Sequence, residues 1–194
     1  MATFVSIGDF VDLFYKIEQK GFQKILSKFK LKESERVKAK WNDEVSTGDF
    51  WVIPSVRKRW NLLSTGDENV EYEDYFVSKY LTSKHDLKLL SVGCGTGSRE
   101  RKFAQKNVFK EIIGIDVAKN AVEEAQKLSL EKGYRLVQYI CGDFTKQSFD
   151  KEYFDVILFN SSLHHFERIH EFLSSRVLPL LKKDGFLVIQ EYVG

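Results

Sequence analysis

The sequence contains little of what marks a disulfide framework, a metal centre or a membrane protein. Its 194 residues include two cysteines, two prolines and one methionine. Cys94, Cys141 and the four histidines lack the spacing of metal ligands, and we expect both thiols to be reduced and buried. No apolar run approaches the ~18 residues of a membrane span, and the first residues show no signal-peptide pattern. We therefore predict a cytoplasmic globular protein with no metal ion and no membrane partner.

The charges nearly cancel, which argues against a nucleic-acid partner. There are 30 Lys and Arg residues and 28 Asp and Glu residues, so the formal net charge is +2. Lysines recur every fourth residue from Lys16 to Lys28 and would line one face of a helix, where they could meet phosphates or anionic lipid. Apolar residues occupy the opposite face at helical spacing, so we interpret the lysines as the solvent-exposed side.

The periodicity of the apolar residues changes near residue 86. Residues 1–85 have helical spacing, and we predict that they form a helical lid packed on the domain that follows. Residues 86–194 alternate between strand and helix patterns, which predicts an α/β fold with a parallel sheet and helices on both faces. The predicted lid helices are 9–29, 33–45, 54–65 and 71–82. The predicted strands are 87–92, 111–116, 135–141, 153–159 and 185–192. Between them we predict helices over 97–106, 119–132 and 167–181 and a short turn near 145–150.

The strongest motif is a glycine-rich turn that directly follows the first predicted strand. Gly93, Gly95 and Gly97 alternate with other residues, and a helix is predicted from about Ser98. Glycines allow a tight turn and a close approach of ligand to backbone, and strand, turn and helix in this order open a nucleotide-binding unit. Dinucleotide sites use G-x-G-x-x-G, with the pyrophosphate on the helix N-terminus. The spacing G-x-G-x-G followed by Ser98 better suits a ligand without phosphate.

Polar residues also follow the next three predicted strands. Asp116 ends the second strand, roughly 20 residues past the glycines, where a carboxylate would accept hydrogen bonds from ribose hydroxyls. The third strand leads into Cys141–Phe144, and the fourth leads into Asn160–His165. Because the carboxyl ends of parallel strands share one edge of the sheet, these groups predict a ligand crevice there.

The order and spacing of these features resemble the class I S-adenosylmethionine-dependent methyltransferases, and more particularly the members that act on small molecules. The resemblance implies a Rossmann-like domain over residues 86–194 and S-adenosylmethionine as the cofactor. It further implies that the three glycines bring backbone close to the cofactor and that Asp116 holds both ribose hydroxyls. Around the adenine and the transferred methyl group it implies contacts from Val117, Asp143, Phe144 and Asn160.

Two adjacent histidines are the candidate catalytic residues. Histidine is the residue type best suited to move a proton near neutral pH, and His164 and His165 could take one from a phenol, enol or hydroxyl, with a slight preference for His165. The alternative is that both histidines only pack or cap the loop. Glu191 and Tyr192, at the end of the fifth strand, are comparable candidates.

The chain stops at Gly194, soon after a fifth strand that follows a predicted tight turn at Lys182–Gly185. The methyltransferases that it resembles continue with a helix and an antiparallel pair of strands, so the resemblance implies a C-terminally truncated sheet. We interpret the chain as a fragment of a longer protein. An uncovered apolar strand such as Phe186–Ile189 can pair with a second copy. We therefore expect a dimer through the exposed edge of the fifth strand.

Three functions remain open at this stage. The first is methyl transfer to a small-molecule or carrier-bound acceptor, at oxygen or carbon. The second is a nicotinamide-dependent oxidoreductase, which the glycine spacing disfavours. The third is a non-catalytic cofactor-binding domain or a piece of a larger synthase. Amino-group methylases of nucleic-acid bases often carry N-P-P-Y after the fourth strand, whereas this chain has Asn160–Leu163 (N-S-S-L), so base methylation is disfavoured.

Overall fold

The computed structural model describes residues 53–191 of the chain. Contacts divide the chain into two units, Met1–Val45 and Ser46–Gly194, and the described residues belong to the second unit. The helices predicted over 9–29 and 33–45 lie outside the described residues. The division into a lid of residues 1–85 and a sheet domain of residues 86–194 stays a prediction. Within residues 53–191, no helix is long and apolar enough to cross a membrane.

Helices and strands alternate after two initial helices. The helices are α1 (Pro54–Thr65), α2 (Tyr72–Tyr80), α3 (Ser98–Ala104), α4 (Lys119–Glu131) and α5 (Ile169–Phe172). The strands are β1 (Leu87–Val92), β2 (Phe109–Asp116), β3 (Val137–Cys141), β4 (Phe154–Asn160) and β5 (Leu181–Gln190). Short 3₁₀ turns cover Phe144–Lys146, Leu163–His165 and Leu178–Leu180, and a π-type turn covers Leu173–Val177.

The five strands form one sheet in the order β3-β2-β1-β4-β5, and every neighbouring pair is parallel. This arrangement confirms the predicted Rossmann-like fold. The strand order reverses between β1 and β4, because β2 lies on one side of β1 and β4 lies on the other. A crevice opens at such a switch point, outside the carboxyl ends of the strands. The glycine turn after β1 and the loop after β4 both lie at this point.

The central strands bury side chains on both faces of the sheet, which is why they appear in the sequence as continuous apolar runs. One face carries Leu89 and Leu158, which are fully buried together with Phe103 of α3 and Ala125 of α4. The other face carries Leu90, Ile157 and Phe159, packed with Phe172 of α5. Alternate residues of each strand therefore face different helical layers, and this alternation decides which polar side chains meet at the carboxyl ends.

The structure corrects two predicted elements. The tight turn predicted at Lys182–Gly185 is instead a bulge inside β5, because Leu181 already pairs with Phe154 and the register resumes where Phe186 pairs with Val156. Lys182 holds the bulge through a 2.8 Å contact to the Asp155 carboxylate.

The helix predicted over 167–181 is also wrong in its second half, since only Ile169–Phe172 is α-helical. Pro179, which lacks a backbone N–H, follows a π-type turn.

Candidate cofactor site and active site

The glycine turn after β1 and the carboxylate at the end of β2 meet directly. The backbone N–H of Gly95 donates a hydrogen bond to Asp116 Oδ2 at 2.8 Å. The backbone N–H of Gly93 donates to the Ile115 carbonyl at 2.8 Å and fixes the start of the turn against β2. Gly93, Gly95 and Gly97 have φ angles of 77°, 52° and 74°, in the left-handed region that favours glycine. The sequence-based expectation that these two groups lie together agrees with this geometry.

The three glycines differ in what an added Cβ would meet. At Gly93 it would lie 2.4 Å from Ser162 Cβ, and at Gly97 it would lie 2.3 Å from Tyr139 Oη. These two glycines allow the turn to pack against the loop after β4 and against β3. At Gly95 an added Cβ would meet nothing within 4 Å. Gly95 therefore presents bare backbone to open space, which is what the close approach of a ligand requires.

Asp116 keeps acceptor capacity for a ligand. Its Oδ1 accepts a hydrogen bond from the Ala118 N–H at 2.8 Å, and its Oδ2 accepts the one from Gly95. Each carboxylate oxygen has a second lone pair, so two hydroxyl groups of a ribose can still donate to this residue. Val117 follows directly and is half-buried, which leaves apolar surface for a base.

Asp143 and Phe144 lie after β3, and both also have structural contacts. Asp143 Oδ1 accepts from the N–H of Thr145 at 2.9 Å and from its hydroxyl at 2.7 Å, which is the turn chemistry of an N-terminal cap. The Phe144 ring is buried and meets the rings of Phe166 and Phe172 edge-on. Asp143 Oδ2 lies 3.7 Å from Lys146 Nζ, and the contacts of Asp143 and Phe144 to adenine stay predictions.

The cysteines differ from the expectation of two buried thiols. Both are free, Cys94 is half-buried in the glycine turn, and Cys141 is exposed. Cys141 ends β3, which is an edge strand of the sheet, so the core does not cover its side chain.

Asn160, at the end of β4, contacts a side chain of helix α2. The Tyr72 hydroxyl donates to Asn160 Oδ1 at 3.2 Å, so the second helix of the described chain reaches the predicted methyl-transfer position. Gln190 is the register partner of Asn160 on β5. Its side-chain amide is buried, and neither amide atom has a hydrogen-bond partner within residues 53–191. Sequence reasoning missed Gln190, because a polar residue at a strand end gives no signal of its burial.

The loop after β4 is built around the Glu191 carboxylate. Glu191 Oε1 accepts the N–H of Ser162 at 2.6 Å and that of Leu163 at 2.5 Å. Its Oε2 lies 2.9 Å from His164 Nδ1. Burial alone would raise the pKa of Glu191. The hydrogen bonds from His164, Leu163 and Ser162 lower it by a larger amount, so the pKa of Glu191 lies below its usual value. The carboxylate is therefore ionised at neutral pH and orients the His164 ring.

The two histidines lie side by side in the loop after β4. Both are exposed and their ring centroids lie 4.0 Å apart. His164 has the charged partner Glu191 at hydrogen-bond distance, and the choice between His164 and His165 as the base stays a prediction. Glu191, considered above as a rival base, contacts His164, and the other rival, Tyr192, lies outside the described residues.

A set of ion pairs that the sequence analysis did not find joins α2 to α3. Glu73 Oε1 lies 2.6 Å from Arg99 Nη1, Glu71 pairs with Lys102, and Asp74 pairs with Lys106. The signal was present as an acidic run before and within α2 and a basic run in α3. Nothing in the sequence showed that the two runs face each other. These pairs hold Tyr72 above the crevice.

A comparison of the sequence with known protein families agrees with this geometry. A family model described as a methyltransferase domain matches residues 90–189, slightly more than half of the chain. The chain belongs to the class I S-adenosylmethionine-dependent methyltransferase family. S-adenosylmethionine is the cofactor of that family, and three features of the site fit it. They are the bare backbone at Gly95, the free lone pairs of Asp116 and the apolar surface of Val117.

Two relatives and one solved structure show how far this methyltransferase domain resembles known proteins. The uncharacterized methyltransferase YcgJ of Bacillus subtilis is 31% identical over 130 residues, which covers 65% of this chain and 50% of that protein. A ubiquinone biosynthesis O-methyltransferase of Bradyrhizobium is 28% identical over 112 residues, covering 58% of this chain and 42% of the relative. The crystal structure of the cyclase SpnF superposes with a TM-score of 0.53 at 27% identity, covering 60% of this chain and 43% of that one. The chain spans about half the length of the curated relatives that it matches.

Proposed function

We propose that this methyltransferase domain transfers a methyl group from S-adenosylmethionine to a small-molecule or carrier-bound acceptor that loses a proton during the reaction. The observation that carries the proposal is the pairing of His164 Nδ1 with Glu191 Oε2 at 2.9 Å, at the carboxyl ends of β4 and β5. The bound cofactor supplies a methyl group that is already activated on a sulfonium. The protein therefore has to bind, align, exclude water and remove one proton.

The His164–Glu191 pair can accept the proton that the acceptor loses. With Nδ1 donating to the Glu191 carboxylate, Nε2 of the neutral ring carries the lone pair. As the acceptor oxygen takes the methyl group, its proton passes to Nε2 of His164. Glu191 then stabilises the imidazolium that forms, since its own charge is fixed by two backbone N–H groups.

The acceptor class that fits this base is a hydroxyl, a phenol or an enol. Relatives of the chain carry names of O-methyltransferases and of a sterol 24-C-methyltransferase, so both oxygen and carbon acceptors occur among similar proteins. A base beside the acceptor favours O-methylation, or C-methylation next to an enol. We propose that the substrate is neither a nucleic acid nor a membrane surface, since basic residues exceed acidic ones by only two.

The test is transfer of an isotope-labelled methyl group from S-adenosylmethionine to a panel of phenols, enols and carrier-bound acids, followed by mass spectrometry. We expect His164→Ala to lower kcat by about 10²- to 10⁴-fold. Glu191→Gln should have a comparable effect, because an amide N–H against Nδ1 would leave the proton on Nε2 and remove the acceptor lone pair.

The adjacent His165→Ala is the matched control and should keep most of the activity, while affinity for S-adenosylhomocysteine should be unchanged in all three variants. Full activity of His164→Ala would overturn the role of the pair. Tight binding of S-adenosylhomocysteine without transfer to any acceptor of the panel would instead support a non-catalytic cofactor-binding domain.

A further inference from the structure

Glu100 carries a buried carboxyl group that has no role in the proposed reaction. It lies in the first turn of α3, directly after the glycine turn, and only 1% of the residue is exposed. Within residues 53–191, its Oε2 has no hydrogen-bond partner. Leaving a buried carboxylate oxygen unpaired is unfavourable, so a group of this kind requires either a structural partner or a ligand.

The neighbours of Glu100 place it beside the glycine turn. The Ser91 hydroxyl donates a hydrogen bond to the carboxyl group, and Ser91 is itself 2% exposed at the carboxyl end of β1. The negative charge of Glu100 helps to raise the pKa values of Tyr72 in α2, Cys94 in the glycine turn and Tyr139 in β3. The carboxyl group therefore lies between the first turn of α3 and the carboxyl end of β1, next to the glycine turn.

Two arginines flank Glu100 in the sequence, but their guanidinium groups contact other residues. Arg99 Nη1 lies 2.6 Å from Glu73 Oε1, and Arg101 Nη1 donates to the Thr96 carbonyl at 2.7 Å. Both guanidinium groups act on Glu100 only through space. Its second oxygen is thus left as an acceptor for a cationic group.

We propose that Glu100, held by Ser91, is the residue that recognises the α-ammonium group of the cofactor's amino-acid portion. This inference rests on the proposed function. The adenosine portion already has Asp116 for its ribose, whereas the amino-acid portion carries a primary ammonium with three N–H donors and needs a negative partner. A carboxylate oxygen with free lone pairs, close to the turn where Gly95 exposes its backbone, supplies that partner.

Burial makes this recognition dependent on pH. Burial raises the pKa of Glu100 to about 7, even though Ser91, the backbone N–H and both arginines lower it. The other groups that face it keep their charge state near neutral pH. Burial also raises the pKa values of Tyr72, Cys94 and Tyr139, so these stay neutral. Burial alone would lower the pKa of Arg99, but its interactions, mainly with Glu73, raise it, so Arg99 stays charged. Affinity for an ammonium ligand should therefore rise as Glu100 ionises.

The test compares two ligands by calorimetry with the full chain. S-adenosylhomocysteine carries the amino-acid portion, and 5′-methylthioadenosine lacks both its ammonium and its carboxylate. We expect Glu100→Gln to lower affinity for S-adenosylhomocysteine by about 10- to 100-fold, the range for a hydrogen bond to a charged group. Affinity for 5′-methylthioadenosine should stay unchanged. From about pH 6 to about pH 8, affinity of the wild type for S-adenosylhomocysteine should rise, and that of Glu100→Gln should stay flat.

Two further variants act as controls. Glu123→Gln removes an exposed carboxylate of α4 and should bind both ligands like the wild type. Ser91→Ala removes the hydroxyl that holds Glu100 and should weaken S-adenosylhomocysteine binding less than Glu100→Gln does. Glu100→Gln should also raise the melting temperature above about pH 7, because a buried charge is removed, so lost binding would not reflect unfolding.

The outcomes separate the inference from the proposed function. Equal affinity of wild type and Glu100→Gln for S-adenosylhomocysteine, or an equal loss for both ligands, would overturn the role of Glu100. If neither ligand binds the wild type, the proposed function itself fails. Should Glu100→Gln not fold, unchanged discrimination between the two ligands in Ser91→Ala would overturn the inference.

Discussion

At the scale of single residues, the glycine turn combines two requirements that a sequence pattern does not separate. Gly97 is needed because Tyr139 occupies the space beside it, where its hydroxyl lies 3.0 Å from Ser129 Oγ and donates to the Gly97 carbonyl at 3.4 Å. Gly95 has no such neighbour within 4 Å. The first requirement belongs to folding and the second to ligand binding, so the two glycines should respond differently to the same substitution.

We expect Gly95→Ala to destabilise the fold by only about 1–2 kcal/mol, the cost of a left-handed non-glycine residue, while strongly weakening S-adenosylhomocysteine binding. Gly97→Ala should cost several kcal/mol more, because its Cβ would lie 2.3 Å from Tyr139 Oη. Urea unfolding gives the two stabilities, and calorimetry gives the affinity of the variants that fold. Normal binding by Gly95→Ala would show that the ligand does not approach this part of the backbone.

Sequence reasoning at this scale succeeded where residue type and spacing within one βα unit carry the information. It predicted that the glycine turn and Asp116 lie together, which the hydrogen bond from Gly95 confirms, and their roles in cofactor binding stay predictions. It did not find that Glu100 is buried or that Glu191 orients His164, because both depend on residues brought together from separate elements. The pair of His164 and Glu191 spans 27 positions and is made only when β5 is placed beside β4.

At the scale of elements, charge pairing fixes α2 on α3. Burial raises the pKa of Glu71, but hydrogen bonds from Lys102 and Arg57 lower it to about 2 overall. A carboxylate whose pKa is lower in the folded state contributes stability above its unfolded pKa of about 4.5. That contribution is lost as the pH falls from about 4.5 to about 2.

We therefore expect Glu71→Gln to lower the free energy of unfolding by about 1–2 kcal/mol at neutral pH, less than the full pKa shift because the pair is partly in solvent. The difference from wild type should disappear near pH 2 and shrink in high salt. Urea unfolding at several pH values measures it. Glu123→Gln, which breaks an exposed pair with Lys119 in α4, should change stability little. A loss that persists at low pH would mean that Glu71 contributes by packing and not by charge.

Element boundaries were predictable where apolar periodicity and breakers agree. β1 has the predicted limits 87–92, and α4 ends one residue before the predicted 132. The bulge in β5 was not predictable, because Lys182 and Gly185 are equally typical of a tight turn. The bulge is favoured by a contact between strands, because Lys182 Nζ lies 2.8 Å from the Asp155 carboxylate of β4.

At the scale of the whole molecule, βα alternation predicted a parallel sheet, but the strand order needed the structure. β1 lies at the centre and the crevice opens beside it, so residues from β1, β2 and β4 converge although they are far apart in sequence. β5 lies at one edge and has β4 as its one neighbour among the described strands. Its side chains are less buried than those of β4, and Ile189 is 44% exposed.

We propose that two copies associate through the β5 edge, since an open apolar strand presents unpaired backbone groups and apolar surface together. Sedimentation velocity over a concentration series should show a monomer–dimer equilibrium. Ile189→Lys should shift it toward monomer, because burying a lysine in the interface is unfavourable. Leu130→Lys is the matched control, since Leu130 is 75% exposed on α4, away from this edge, and should leave the equilibrium unchanged. A wild-type chain that stays monomeric at high concentration would contradict the pairing, and an equal shift in both variants would place the interface elsewhere.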